Sequence, residues 1–353
     1  MVTTEGIKYT GSKLKILPHI EEMVSGLGVR TVLDAFSGTT RVSQAFAQMG
    51  YDTTANDIAV WSEVFATCYL KSTAPDSYYA PMIEELNALE GRHGWFAEHY
   101  GGADAAGKRP FQMKNAMRID SIRERIEEYR LAWEDKCVLL TSLIMALDSV
   151  DNTLGHYASY LSGWSARSYK DLHLELPHRV ALKTRNRVTR RDVFEAVREH
   201  HDLVYLDPPY GSNNEKMPPS RVRYAAYYHI WKTVILNDRP EVFGRANRRV
   251  DSRDSASPSA FEEYKRGADG KFIAMNAIRE LIERADAHYI LLSYGSGGRA
   301  TKEELDTILR ENGRMIDARE IDYKKNVMSN MRWTNEWVNS DGLYSEYLFL
   351  LEK

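Results

Sequence analysis

An apolar run, Leu203-Val204-Tyr205-Leu206, ends at Asp207-Pro208-Pro209-Tyr210, and no other stretch constrains the fold as strongly. A short apolar run closed by turn formers reads as a buried strand. The two prolines lack N–H donors and fix their φ angles, so the turn is stiff and its carbonyls are free to accept hydrogen bonds. A carboxylate and an aromatic ring thus stand where a strand gives way to a loop, the edge at which open α/β sheets bind ligands. Such a group suits a planar amine: Asp207 and the Pro208 carbonyl accept its two hydrogens while Tyr210 stacks on the ring bearing it. The competing reading is an ordinary turn capped by Asp207.

A second stretch, Thr31-Val32-Leu33-Asp34-Ala35-Phe36-Ser37-Gly38-Thr39, reads as a strand followed by a tight turn. Val42, Ala45, Phe46 and Met49 then recur at helical spacing, and Gly50 stops that helix. The next strand ends at Asp57, about 23 residues past Asp34, the spacing at which a βαβ unit sets an acid against ribose hydroxyls. Only Gly38 stands where a dinucleotide-binding turn would carry three glycines. A ligand without a pyrophosphate needs no phosphate cradle, which favours S-adenosylmethionine over a nicotinamide cofactor.

Taken in order, Lys8-Tyr9-Thr10-Gly11-Ser12-Lys13, the Phe36-Ser37-Gly38 turn, Asp57 and Asp207-Pro208-Pro209-Tyr210 resemble the Dam-like adenine-specific DNA methyltransferases over most of the chain. The resemblance implies a Rossmann-like α/β core with a mostly parallel sheet and an inserted helical target-recognition subdomain. It also implies that Lys8, Tyr9, Lys13, Asp34, Phe36, Ser37, Gly38, Asp57 and Asp207 bind S-adenosylmethionine, with Asp207, Pro208 and Tyr210 catalytic. The family places one more acid at a strand end, where it bonds the cofactor's adenine amine; Asp192 fits, and it equally fits the N-cap of the helix that follows. Where the family usually has glycine, and often a second, this chain has Thr40 and Ser43, a departure that bears on cofactor affinity.

Composition limits the alternatives. The chain of 353 residues is long enough for one large core plus an inserted subdomain. Two cysteines, Cys68 and Cys137, lie in apolar helical contexts without metal-ligand spacing, so neither a metal site nor a disulfide framework is expected. The N-terminus lacks a basic region followed by an apolar stretch, and no membrane-spanning run occurs, so a cytoplasmic enzyme is expected; the resemblance implies a bacterial, archaeal or phage origin.

A net charge of −3 means that any nucleic-acid face must be local. The stretch His178–Arg191 carries Arg179, Lys183, Arg185, Arg187, Arg190 and Arg191 without an acid, and Arg185, Arg187 and Arg190 are expected against the DNA backbone unless the segment is simply a solvated strand. A second stretch, with Arg239, Arg245, Arg248, Arg249 and Arg253, is diluted by Asp251 and Asp254. Domains are expected at 1–68 and 178–353 for the core and 69–177 for the helical insertion, with a mobile loop region over 211–262. Within the insertion, Asn152 is either a base-reading amide or part of a helix end closed by Gly155. The cluster Tyr224-Ala225-Ala226-Tyr227-Tyr228 is either a base pocket or core packing. Ile290–Gly295 is expected beside the catalytic strand with its end in the pocket wall, and Tyr344–Leu351 as the closing strand of a hairpin.

The reading is methyl transfer from S-adenosylmethionine to the exocyclic amine of adenine in double-stranded DNA, by base flipping and without metal, with a cognate restriction endonuclease as a candidate partner. Two rivals stand beside it: an RNA adenine methyltransferase, and a DNA-binding relative without catalysis.

Overall fold

In the computed structural model, which describes residues 2–103, 109–211, 223–256, 258–323 and 344–353, the run ahead of Asp207 forms a strand at the centre of a seven-stranded sheet. Numbered along the chain, the strands are β1 (Thr31–Asp34), β2 (Asp52–Asn56), β3 (Arg187–Thr189), β4 (His201–Leu206), β5 (Ala287–Gly295), β6 (Arg314–Tyr323) and β7 (Tyr344–Glu352). Their order is β6-β7-β5-β4-β1-β2-β3, with β3, β2, β1, β4 and β5 parallel and β7 antiparallel to both neighbours. The chain builds outward from β1 to β3 and then crosses back to β4, so the order reverses between β1 and β4. That reversal opens a crevice beyond the carboxyl ends of the two strands. Asp34 ends β1 opposite Tyr205 in register, and Asp207 follows β4, so both acids stand at the crevice.

Alternation along β4 sorts its side chains between two cores. Leu203 and Tyr205 join Val32, Leu291, Leu348 and Leu350 under helices α1 (Leu17–Val24) and α2 (Arg41–Gln48). Val204 and Leu206 join Leu33, Ile290, Leu292 and Phe349 on the other face, which is covered by helices over Ile273–Arg284 and Lys302–Asn312. Cover on both faces is why Leu203–Leu206 is an unbroken apolar run rather than an alternating one.

Helix α3 (Val60–Leu70) is buried nearly all round, with only Glu63 escaping. The reason is a third core, in which α3 packs against the expected helical block: α4 (Asp76–Ala88), α5 (Trp95–Tyr100), α6 (Met113–Glu128) and α7 (Trp133–Val150). The block ends earlier than its sequence suggests. Between Asp151 and Asn186 the only regular element is a short 3-10 turn, Ala166–Tyr169. Nor does Gly155 close α7. The helix stops at Val150, and Asp151 turns back to accept hydrogen bonds from the Thr153 amide at 3.3 Å and hydroxyl at 3.0 Å. Local side-chain to backbone bonding of this kind competes directly with helix continuation.

The expected loop over 211–262 is also corrected. Residues 212–222, including Ser212, Asn213 and Asn214, and residue 257 lie outside the described residues. Within 223–256 the chain forms helices α8 (Tyr224–Tyr227) and α9 (His229–Leu236) and a short hairpin pairing Val242–Phe243 with Arg248–Arg249. Ile230, Trp231, Val234 and Ile235 bury one face of α9 in the α3–α7 core, a driving force that the Gly and Ser content of the stretch conceals.

Candidate active site

A cleft of roughly 1560 Å³ runs along the carboxyl edge of the sheet and is lined by the motifs that carry the family resemblance and by Asp192: residues 8–13, 34–38, 57, 192 and 207–210. At its floor three charged side chains meet. Lys13 Nζ lies 2.9 Å from Asp207 Oδ2 and 3.4 Å from Glu346 Oε1. Burial disfavours the Lys13 charge, but Asp207 and Glu346 outweigh it and hold the ammonium above its ordinary pKa. Burial lifts Asp207 up to about 6 against the pull of Lys13. The Tyr210 hydroxyl stands 2.7 Å from Asp207 Oδ1 and 3.1 Å from Ser293 Oγ, and it also meets Glu346 Oε1. One hydroxyl proton thus serves several acceptors, and the Lys13 ammonium, 4.9 Å from the Tyr210 ring centroid, supplies the positive charge that lets the two acids share this space.

Glu346 carries no local sequence signal as a site residue, and Ser293, expected in the pocket wall, stands elsewhere. Ser293 sits in β5 behind the Asp-Pro-Pro-Tyr turn, donating to Glu346 at 3.0 Å, and Tyr294 donates to the Tyr210 carbonyl at 3.2 Å. The Ser293–Gly295 end therefore backs the turn rather than forming the cleft wall. Glu346 arrives because β7 is antiparallel, which brings the beginning of that strand to the edge where the parallel strands end.

The other half of the cleft is organised by Asp57. Its carboxylate accepts the Gly38 amide at 2.9 Å and the Ala59 amide at 2.9 Å, tying the turn after β1 to the end of β2. Burial raises the Asp57 pKa, and these amides oppose the rise. Gly38 has φ of +50°, in the left-handed region, and a Cβ there would press against the Tyr9 ring at 3.2 Å. Tyr9 is in turn stacked on Tyr228, ring centroids 4.6 Å apart. The tyrosine cluster is thus core packing that reaches the cleft through Tyr9 and Tyr224. Beside Asp57, Ile58 is 70% exposed and lines the cleft, an apolar surface left open near a buried acid. Phe36 and Phe194 line it too, both packed on Phe261.

The two departures from glycine have separate physical outcomes. Thr40 sits at φ of +65°, in the left-handed region where glycine is at ease and a β-branched residue is strained. Ser43 is fully buried and donates to Asp34 Oδ2 at 2.5 Å. Burial pushes Asp34 up to about 7, with Ser43 working against the rise. Ser43→Ala is accordingly expected to cost about 1–3 kcal/mol of folding stability. Because the Asp34 carboxylate is ionised above about pH 7 and needs its donor most in that form, the cost should be larger at pH 8 than at pH 5.5. Denaturant titrations of both proteins at the two pH values measure it, and a pH-independent difference would separate Ser43 from Asp34.

Other expected residues lie as follows. Asp192 caps the helix that follows it, accepting the Phe194 amide at 2.8 Å, and at the same time lines the cleft. Lys8 is mostly exposed at the rim, 3.9 Å from Asp148. Asn152 is fully buried, its Oδ1 accepting the Ser165 amide at 2.8 Å and its Nδ2 donating to the Leu161 carbonyl at 3.4 Å, a geometry that favours loop bracing over base reading. Arg187 pairs with Glu199, Arg190 with Glu63 at 3.3 Å, and the exposed Arg185 lies 3.7 Å from Asp52. Among the described residues no cluster of His, Cys, Asp and Glu could hold a metal ion, and no helix is long and apolar enough to cross a membrane.

Residues 9–294 match the family model described as D12 class N6 adenine-specific DNA methyltransferase. Among curated proteins the chain is similar to modification methylase StsI of Streptococcus sanguinis, 29% identical over 94% of this chain and 50% of the relative. It is also similar to the type II methyltransferase M.FokI of Planomicrobium okeanokoites, 26% identical over 98% of this chain and 53% of the relative. The chain thus spans about half the length of these two. The type II methyltransferase M.NlaIII of Neisseria lactamica is 27% identical over 98% of this chain and 99% of its own length.

Proposed function

Since the chain belongs to the D12 class of N6 adenine-specific DNA methyltransferases, we propose that it transfers a methyl group from S-adenosylmethionine to the exocyclic amine of adenine in a specific duplex DNA sequence. The observation that carries this reading is the position of Asp207: a buried carboxylate at the switch point, facing the same cleft as Asp57 and the Gly38 turn. The relatives' names, modification methylase and type II methyltransferase, support a place in restriction and modification beside a cognate endonuclease.

The residues fit the methyl donor. Asp57 has lone pairs left for two ribose hydroxyls after accepting Gly38 and Ala59. Ile58, Phe36 and Phe194 offer apolar surface to a purine ring, and Asp192 at the rim can accept from its amine. Lys8, Tyr9 and Lys13 on one side, with Asp34, Phe36, Ser37 and Gly38 on the other, enclose the remainder. When bound, the donor supplies a methyl group already activated on a sulfonium, so the protein needs neither metal nor covalent intermediate.

The target nitrogen is a weak nucleophile, because its lone pair is delocalised into the ring. Asp207 and the Pro208 carbonyl accept the amine's two hydrogens, which favours the pyramidal geometry that frees the lone pair, and positive charge developing on nitrogen falls beside the Asp207 carboxylate. Reaching that amine requires extruding the base at a cost of a few kcal/mol, offset by stacking on Tyr210 and by hydrogen bonding. Lys13 and the Tyr210 hydroxyl each take one lone pair of a different Asp207 oxygen, which leaves the carboxylate acceptor capacity for the amine.

The carboxylate must be ionised to do this. Its pKa is raised to about 6, so the active form is lost as pH falls through that value. kcat/KM, which reports the free enzyme, is expected to drop about tenfold per pH unit below pH 6, and Asp207→Asn should abolish that limb. Transfer of a labelled methyl group to duplex DNA, with single-stranded RNA of the same sequence as competitor, tests the function. Adenine in duplex DNA should take the label, whereas equal labelling of RNA would move the substrate to the other nucleic acid.

A further inference from the structure

We propose that the hairpin Val242–Arg249, with Arg253 beside it, grips the phosphate backbone of the DNA substrate. This rests on the reading of the substrate given above and adds where that substrate is held. The structure separates the arginines of this stretch into two kinds. Arg239 pairs with Glu124 at 3.0 Å, and Arg249, almost fully buried, binds Asp238 through two nitrogens at 2.6 and 2.7 Å and reaches Asp251 at 3.0 Å. These hold the fold. Arg245, Arg248 and Arg253 have no carboxylate partner among the described residues. Of the two acids that seemed to dilute the stretch, Asp251 is engaged by Arg249 and Lys232 and Asp254 lies beside Arg223.

The three unpaired guanidiniums are set over rings. Arg248 and Arg253 lie 4.7 and 4.4 Å from the Phe243 centroid, and Arg245 lies 5.9 Å from that of Tyr160. Arg109 joins them, 3.5 Å from the Tyr160 hydroxyl. A guanidinium over a ring is held in place while its N–H edges stay available to phosphate oxygens. The hairpin itself is anchored: Tyr100 donates to the Asn247 carbonyl at 2.9 Å, and Asn247 Nδ2 donates to the His99 carbonyl at 2.6 Å. Rigid placement reduces the ordering cost of each phosphate contact.

Position favours the same conclusion. Asp251, Ser252 and Ala256 line the active-site cleft, while Arg253, Asp254 and Ser255 line an adjoining groove of roughly 450 Å³ together with Arg248 and Arg223. A strand held on this groove therefore passes beside the cleft. Asp254 there lies 3.7 Å from Arg223. By contrast Arg187 and Arg191 share Glu199 and Arg190 pairs with Glu63, so these cations would have to leave an acid before meeting a phosphate.

The test compares two triple variants, Arg245→Gln/Arg248→Gln/Arg253→Gln and Arg185→Gln/Arg187→Gln/Arg190→Gln, in duplex-binding titrations over a salt series with cognate and random DNA. The hairpin variant should lose at least about tenfold in affinity for both DNAs and flatten the slope of log K against log salt by about 0.9 per lost contact, while S-adenosylmethionine affinity stays unchanged. The strand variant should keep nearly the full slope. A hairpin variant with the wild-type slope would overturn the placement, most clearly if the strand variant carried the loss. Wild-type protein that shows no salt-dependent duplex binding, or prefers RNA, would overturn the substrate reading and the placement with it.

Discussion

Asp207→Ala is expected to lower methyl transfer by at least about 10³-fold while leaving S-adenosylmethionine affinity within a few-fold. On the proposed reading the side chain meets the target amine, while the residues assigned to the cofactor lie mainly on the β1 and β2 side of the cleft. Folding should survive, because the buried set Asp207, Glu346 and Lys13 becomes a matched pair, Lys13 and Glu346 at 3.4 Å, once the first acid is gone. Single-turnover transfer together with calorimetric titration of the cofactor separates the two effects. Substantial residual turnover would remove Asp207 from the mechanism. Asp207→Asn should fall between, since a carboxamide oxygen still accepts one hydrogen but brings no charge to the developing cation.

Asp57→Ala should show the opposite division: cofactor affinity weaker by about 10²-fold, with much of the turnover kept at saturating cofactor. Two charge-assisted hydrogen bonds to ribose hydroxyls are lost, at roughly 1.5–3 kcal/mol each before the pocket readjusts. The Gly38 and Ala59 amides also lose their shared acceptor, so the turn that faces the cofactor loosens. Calorimetry showing unchanged affinity would mean that Asp57 serves only that turn.

Much of the fold was legible because parallel strands leave strong local signals. An acid ends β1 and stands directly after β2 and β4, and α2 follows β1 at the spacing its apolar residues require. The residues expected to hold the cofactor come together along one cleft for the same reason, since they lie on strand ends and the turns after them. Glu346 was not, because it lies at the start of an antiparallel strand, and only the sheet order brings that start to the shared edge. Asn152 shows the converse. A polar residue after a long helix has the composition of a contact, yet the 150–165 loop folds over it and uses both ends of its amide. The arginine stretches divide likewise on pairing that sequence cannot show: Glu199, just past the stretch, and the distant Glu63 neutralise 187–191, while Asp251 and Asp254 turn to Arg249, Lys232 and Arg223.

The central claim, that Asp207 and its neighbours methylate adenine in duplex DNA, is tested most directly by methylation-sensitive sequencing of DNA from a host that expresses the protein and lacks its own adenine methylation. N6-methyladenine should accumulate at one short recognition sequence and be absent from a host expressing Asp207→Ala. Unmodified adenine with the wild-type protein, or a modified cytosine in its place, would contradict the claim.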